Sequence, residues 1–352
     1  MVRVFQYSFV QAKTRALKGR LLSTEDWHFL HRATTLGEVL RYLAGTDYAA
    51  AVSQLHAGEF AGKAAAPALY DQLFSSYAKL ARAVPQRGSR LVTRLLLRFE
   101  AENLKTILRG IWQRKSPAEI SPLLYRLHGL SRLPVHQLFQ VETVTDALEP
   151  LRSTAFYLPM KHAQAQFQAQ GRLFPLEMAI DITVFERLVD ALKSVRGLDR
   201  KGVKDLIGEL VDLENLSWLV RFRFYYGLSP EELINYLLHG GRRLGIQKLG
   251  AMARSVDLEA FLAQLPPPYR KALEPATAWT DIQPLGESRL VQQLYRVFSR
   301  DPFQIRLPLA FLLLKEIEVR SLERLLTAWD MAKAPGSLAC GVHLPLPGAA
   351  HV

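Results

Sequence analysis

Strand-like patterning is missing from this chain. Alternation of apolar and polar residues with period two is nowhere sustained for a useful strand, which argues against a sheet protein. Cysteine is almost missing too: the single Cys340 rules out an internal disulfide framework and fits a reducing compartment. No apolar run reaches the roughly 18 residues needed to cross a bilayer. The nearest approach, Leu307 to Leu314, is closed at once by Lys315, Glu316 and Glu318. The start lacks a signal-peptide shape, because Arg3, Lys13, Arg15, Lys18 and Arg20 bracket no clean hydrophobic segment. The chain therefore reads as soluble, or at most peripheral to a membrane.

Catalytic constellations are equally scarce. The run Gly240-Gly241-Arg242-Arg243-Leu244-Gly245 has glycines and cations but lacks the Lys-Ser/Thr that would engage phosphate and magnesium, so it reads as a turn. There is no Gly-x-Ser-x-Gly elbow and no Cys-x-x-Cys or His-Glu-x-x-His spacing. His28 and His31 stand three apart on an expected helix, but no third metal ligand is near them in sequence. Paired acids such as Glu25-Asp26 and Glu231-Glu232 fall at helix starts, where they meet the dipole favourably without any catalytic role. The expectation is a protein that is not an enzyme and binds no cofactor, metal or small-molecule substrate.

What the chain does have is positive charge and repetition. The formal net charge is +12, and the first twenty residues hold five basic groups and no acid. A second basic stretch runs through Arg87, Arg90, Arg94, Arg98, Lys105, Arg109, Arg114 and Lys115. Such a balance suits nucleic acid, anionic headgroups or an acidic protein partner, and charge alone does not choose. Arg15, Lys18, Arg20, Arg94 and Arg98 are the candidate partner-binding cations.

One signature occurs three times: an acid, two residues, a small amide or hydroxyl residue, Leu, two residues, an aliphatic. The copies are Glu100, Asn103, Leu104, Ile107; Asp212, Asn215, Leu216, Leu219; and Glu318, Ser321, Leu322, Leu325. Equivalent positions are offset by 112 and then 106 residues. Upstream of each acid lies an amphipathic stretch ending in a tyrosine, Tyr48, Tyr157 and Tyr269, at 52, 55 and 49 positions before it. Downstream, Ser116-Pro117-Ala118-Glu119-Ile120 matches Ser229-Pro230-Glu231-Glu232-Leu233, a helix start with a capping Ser, Pro at the first position and Glu at the third. The third copy has no such element.

Apolar residues recur at three and four positions, as in Val92, Leu96, Phe99, Asn103, Ile107 and Ile111, so the chain is expected to be all-α. Gly/Pro clusters place three similar helical domains at 1–128, 129–240 and 241–335, with 336–352 a disordered tail. An acid and an amide three residues apart share one helical face beside the apolar stripe, so both need hydrogen-bond donors or acceptors from a neighbouring loop. Each pair either knits its own domain together or lines a shared central face of a pseudo-threefold assembly. Replacing Glu100, Asp212 or Glu318 by Ala is expected to lower stability by about 1–3 kcal/mol where the acid is buried and hydrogen-bonded. Removal of the chain after Lys333 is expected to leave folding intact.

The residues also carry a resemblance. Tyr7-Ser8-Phe9-Val10-Gln11-Ala12-Lys13, the stretch from Arg15 to Leu22, then Asp26, Leu36 and Thr46-Asp47-Tyr48 resemble the opening of the C subunit of prokaryotic V/A-type rotary ATPases, the counterpart of the d subunit in eukaryotic vacuolar ATPases. Glu100 to Lys105 and Lys315 to Arg320 continue the similarity, which covers about residues 5 to 330. Ser321, where Asn is expected, and the Pro/Gly tail depart from it. The resemblance implies a three-domain helical funnel with a central cavity, peripheral on the cytoplasmic side of the membrane. It would seat the central stalk on the membrane rotor ring and transmit torque for ATP-coupled proton or sodium transport. A basic helical scaffold that binds nucleic acid or acidic protein partners is the alternative, weakened by the absence of interleaved stacking aromatics.

Overall fold

A computed structural model of the protein describes residues 2–53, 55, 61–299 and 304–331. The expected tail, 336–352, and Cys340 lie outside the described residues. Every regular element among the described residues is a helix, as the periodicity required. The chain divides into two compact units, residues 1–86 with 196–352, and residues 87–195. The boundaries expected after 128 and 240 are not the edges of these units.

The first unit is built around the helix Arg306–Met331. Every side chain from Leu307 to Val319 is buried, charged ones included, so this helix is enclosed all round rather than on one stripe. That is the place of the apolar run Leu307 to Leu314. Ala61–Ala83 packs along it, and Val2–Lys18, Leu198–Leu219 and Ile282–Phe298 complete the enclosure. The closest approach is at Gly62, where a Cβ would stand 2.5 Å from the Thr327 amide nitrogen. Just beyond, the Asp330 carboxylate accepts the Ala61 and Gly62 amides at 2.7 and 2.8 Å. The end of one helix thereby caps the start of the other and satisfies two orphan donors. Short helices begin where the sequence supplies caps: Ser23 and Asp26 exchange bonds before Thr24–Arg32, and Asp257 accepts from the Ala260 amide before Leu258–Ala263.

The second unit is organised by the helix Gln86–Trp112, whose Leu97, Ala101, Leu104, Ile107 and Leu108 form one core with Leu138, Leu151, Phe156, Met160, Ile180 and Val184. Tyr157–Gln170 and Phe174–Ala191 supply the other long helices, separated at Gly171, which closes the first of them at φ 60°. The two Ser-Pro starts are helix N-termini. Glu119 accepts the Ser116 amide and hydroxyl, and the Ser229 hydroxyl accepts the Glu232 amide.

Candidate functional site

The three signatures lie on the helices Gln86–Trp112, Leu198–Leu219 and Arg306–Met331, and each acid is clasped by backbone from elsewhere in its own unit. In the second copy Asp212 accepts the Arg243 amide at 2.8 Å and the Leu244 amide at 3.1 Å, residues that lie 31 and 32 positions downstream. Asn215 pairs with Leu238 through both of its amide atoms, at 2.9 and 2.8 Å. The glycine run read as a turn is the loop held here: Gly240 sits at φ 96°, and a Cβ on Gly241 would meet Asp212 Oδ1 at 2.2 Å. In the first copy Glu100 accepts the Arg132 amide at 2.7 Å, 32 positions downstream, and Asn103 pairs with both backbone groups of Tyr125 at 2.9 and 2.7 Å.

The third copy obtains the same clasp from the opposite end of the chain. Glu318 accepts the Leu22 amide at 2.7 Å, across 296 residues. Ser321, buried at 1% exposure, stands where the other copies have Asn. The loops held by the other two copies differ from the segment before Leu22. Tyr125 and Leu238, seven and five residues before Arg132 and Arg243, have extended-loop backbone groups that need a side-chain amide. The stretch five to seven residues before Leu22 is the last turn of Val2–Lys18, whose Arg15 and Leu17 carbonyls already accept from Gly19 and Arg20. A turn whose backbone is bonded within its own helix has less need of a side-chain amide than an open loop does.

Tyrosines complete two of the clasps, though not in the order expected. Tyr269 donates toward Glu209 at 2.7 Å and Asp212 at 2.9 Å, so it serves the acid 57 residues before it rather than the one after it. Tyr48 donates to Glu318. In the first copy the equivalent residue is Phe156, one before Tyr157. The Thr46 hydroxyl donates to the Leu43 carbonyl and accepts the Tyr48 amide, and Thr154 does the same with Leu151 and Phe156. The expected landmark Tyr157 is thus corrected by one position, because the Thr turn and not the aromatic type sets the register. Phe156 has no hydroxyl, and Glu100 is only half-buried. Phe156→Tyr should supply the missing donor and raise stability by about 1 kcal/mol; a lower melting midpoint would show that the ring does not face Glu100.

Charge around the clasps was only partly visible in the sequence. Glu209, three residues before Asp212, accepts from Arg242 at 2.6 Å and from Arg289 at 3.0 and 3.4 Å, and Arg289 stands 4.3 Å from the Tyr269 ring centroid. In the third copy the corresponding residue is Lys315, which donates to Tyr48 Oη at 2.8 Å and lies 3.4 Å from Glu318. In the first copy it is Leu97, part of the apolar core. A charged residue three before the acid recurs in the second and third copies alone, and that recurrence could have pointed to Glu209 and Lys315. Nothing local could have revealed Arg289, which arrives from 80 residues away.

The second clasp sets two buried carboxylates around one hydroxyl. The single phenolic proton of Tyr269 is shared between Glu209 and Asp212. Burial pushes Asp212 up to about 6; its hydrogen bonds oppose the shift and Glu209 adds repulsion. The folded chain therefore retains a proton there between about pH 4 and 6 that the unfolded chain gives up. The stability from this group is full below that window and declines as pH rises through it. Asp212→Asn removes the titration, so the melting temperature of the variant relative to the wild type should rise from pH 4 to 6. Parallel curves would mean that Asp212 is ionised throughout. Burial likewise raises Glu318, against the pull of Lys315 and the bonds from Tyr48 and Leu22.

Three candidate cations are engaged within the first unit. Arg15 donates to the Phe298 carbonyl at 3.0 Å, Lys18 stands over the Tyr295 and Phe298 rings at 5.3 and 5.6 Å, and Arg20 is 3.6 Å from Asp47. In the second unit Arg98 bonds the Leu95 carbonyl at 3.3 Å. Arg94 is half-buried beside Arg187, Arg90 and Arg132; burial and these like charges lower its pKa, and Glu100 opposes them. Among the described residues no group of three His, Cys, Asp or Glu could hold a metal ion.

Comparison with known proteins places these features. The family model described as ATP synthase (C/AC39) subunit matches residues 10–328. The C subunit of the A-type ATP synthase of Halorubrum lacusprofundi is 25% identical over 333 residues, 89% of this chain and 90% of that protein. Its counterpart from Methanosarcina mazei is 26% identical over 248 residues, 70% of this chain and 67% of that protein. The one from Methanocaldococcus jannaschii is 22% identical over 328 residues, 91% of this chain and 82% of that protein.

Proposed function

Since the chain belongs to the ATP synthase (C/AC39) subunit family, we propose that it is a non-catalytic rotor adaptor of an A/V-type rotary ATPase. In this reading it sits peripherally on the cytoplasmic face, its three repeats forming a socket that seats the central stalk on the membrane rotor ring. It carries torque between ATP chemistry in the soluble head and ion movement through the ring.

The observation that supports this most is the third clasp. Torque loads a coupler at its surface, and a helical protein yields first where its ends fray. Here Glu318 ties the Leu22 amide and the Tyr48 hydroxyl to a helix near the other end of the chain, inside a fully buried site. Buried, hydrogen-bonded polar groups rigidify what they join. No helix among the described residues is long and apolar enough to cross a membrane, in keeping with peripheral attachment. Arg94, with Arg90, Arg132 and Arg187 around it, is better placed to meet an acidic stalk or ring surface than Arg15, Lys18 or Arg20, which are committed internally. Such charge would supply steering and register more than affinity. Family membership disfavours the nucleic-acid scaffold.

The test is affinity capture of the tagged chain from gently solubilised host membranes, with mass spectrometry of what accompanies it. Central-stalk and ring proteins are expected. A chain that stays in the soluble fraction while the membrane ATPase is intact would overturn the reading.

A further inference from the structure

The second signature helix ends unlike a regular helix. Over Val220–Tyr225 the main chain widens to π-helical bonding, with the Tyr226 amide donating to the Arg221 carbonyl at 3.0 Å. Single π turns of this kind often mark functional positions. Here the widening throws Tyr225 and Tyr226 outward, 57% and 60% exposed. Facing them, Trp279, Thr280 and Gln283 close a cleft of about 380 Å³, with Arg221 on its wall. The far wall is rigid: Trp279 stacks on Phe224 at 3.6 Å and 15° and meets Phe261 edge-on at 5.2 Å. Tyr226 in turn stacks on Phe222 at 6.1 Å.

The other repeats show a large apolar side chain at the same station. Trp112, twelve residues after Glu100, is 49% exposed, and Met331, thirteen after Glu318, is 79% exposed. Trp112 packs edge-on against Phe167 at 5.6 Å.

We propose that this cleft is a docking site for a segment of another protein of the complex that presents an apolar side chain with a carboxylate close beside it. The apolar group would enter between Tyr225, Tyr226 and Trp279, and the carboxylate would pair with Arg221, which is exposed and has no carboxylate partner among the described residues. The inference rests on the rotor-adaptor reading. Tyr, Trp and Arg are the residues that dominate the buried centres of protein interfaces. A small ligand filling the cleft would leave the outer faces of both tyrosines in water, whereas a polypeptide segment covers them. A lone guanidinium is too little charge to hold an anionic lipid surface, for which clusters of four to eight cations are the pattern.

The experiment places photoreactive benzoylphenylalanine at position 226 of the full chain, irradiates gently solubilised membranes and maps the adduct by mass spectrometry. An adduct on another rotary-ATPase protein, with Asp or Glu within about one helical turn of the attachment point, is the expected result. An adduct on lipid, on a segment without a nearby carboxylate, or no adduct while the complex still co-purifies would overturn it. Independently, the variant Tyr225→Ser, Tyr226→Ser, Arg221→Glu should lower recovery of that partner at least about tenfold, roughly 1.4 kcal/mol of coupling. Val256→Ser, at a site 89% exposed, should not. Undiminished recovery by the triple variant overturns the inference alone. Should the triple variant melt early, the photo-adduct decides. A wild-type chain that recovers no other rotary-ATPase protein sinks the adaptor reading, and this inference with it.

Discussion

Glu318→Ala should cost about 3–5 kcal/mol of folding stability, the range for removing one partner of a buried charge pair. Two facts set that size. Lys315 and Glu318 are 3% and 6% exposed, so truncating the acid leaves a buried ammonium group with only Tyr48 Oη at 2.8 Å and the more distant Asp47 carboxylate at 3.8 Å. The Leu22 amide and the Tyr48 hydroxyl lose their acceptor in the same step. Against a total stability of about 5–15 kcal/mol, the loss is large enough to see in any denaturant titration. Glu100→Ala serves as the comparison. Glu100 is half-buried, holds a single amide and has Leu97 rather than a cation at the preceding turn, so about 1 kcal/mol is expected. Combining Glu318→Ala with Lys315→Met should restore much of the loss, because replacing a buried pair by apolar groups is often near neutral. Equal costs for Glu318→Ala and Glu100→Ala would show that the third clasp is solvated and contributes no more than the first.

A chain that begins at Ala49 should lose the cooperative transition of the first unit altogether. The missing segment contributes the buried side chains Val10, Leu22, Trp27, Leu30, Val39, Leu40, Leu43 and Tyr48. At about 1.5–3 kcal/mol for each buried apolar side chain, their sum matches or exceeds the whole stability expected of such a unit. It also supplies Leu22 and Tyr48 to Glu318, so a helix enclosed on all sides would be opened along one face with its charges uncovered. The second unit, residues 87–195, has its own core and should still melt as before. Circular dichroism with thermal melting reads both. A truncated chain that keeps two undiminished transitions would mean that the helix Arg306–Met331 is held by the clasp without depending on it.

Much of the clasp machinery could be read without coordinates. Glu100, Asp212 and Glu318, with Asn103, Asn215 and Ser321, were identified by repetition, and all six lie on helices at the positions the periodicity assigned. The Ser-Pro starts and the absence of a third one were likewise local facts. What misled was direction. Each tyrosine landmark was assigned to the acid that follows it, because repeats read from left to right suggest complete units in sequence order. The bonds run the other way, from Asp212 forward to Tyr269 and from Glu318 around to Tyr48. The boundaries placed at Gly/Pro clusters after 128 and 240 fall between acids and the loops they hold, which explains why compact units do not begin there.

The sequence by itself determined the helices, their threefold recurrence, the polar groups set into their apolar faces and the family to which the chain belongs. Those properties depend on a 3.6-residue period and on side chains within a turn or two of one another, so they are written locally. Tertiary structure alone decided which backbone each acid holds, that the two ends of the chain build one clasp together, and that Phe156 rather than Tyr157 fills the tyrosine's place. It also decided that Arg289 neutralises Glu209 from 80 residues away. A buried carboxylate takes whichever free donors packing brings within 3 Å, and unpaired amides at helix ends and loops are offered by proximity in space, at any distance along the chain.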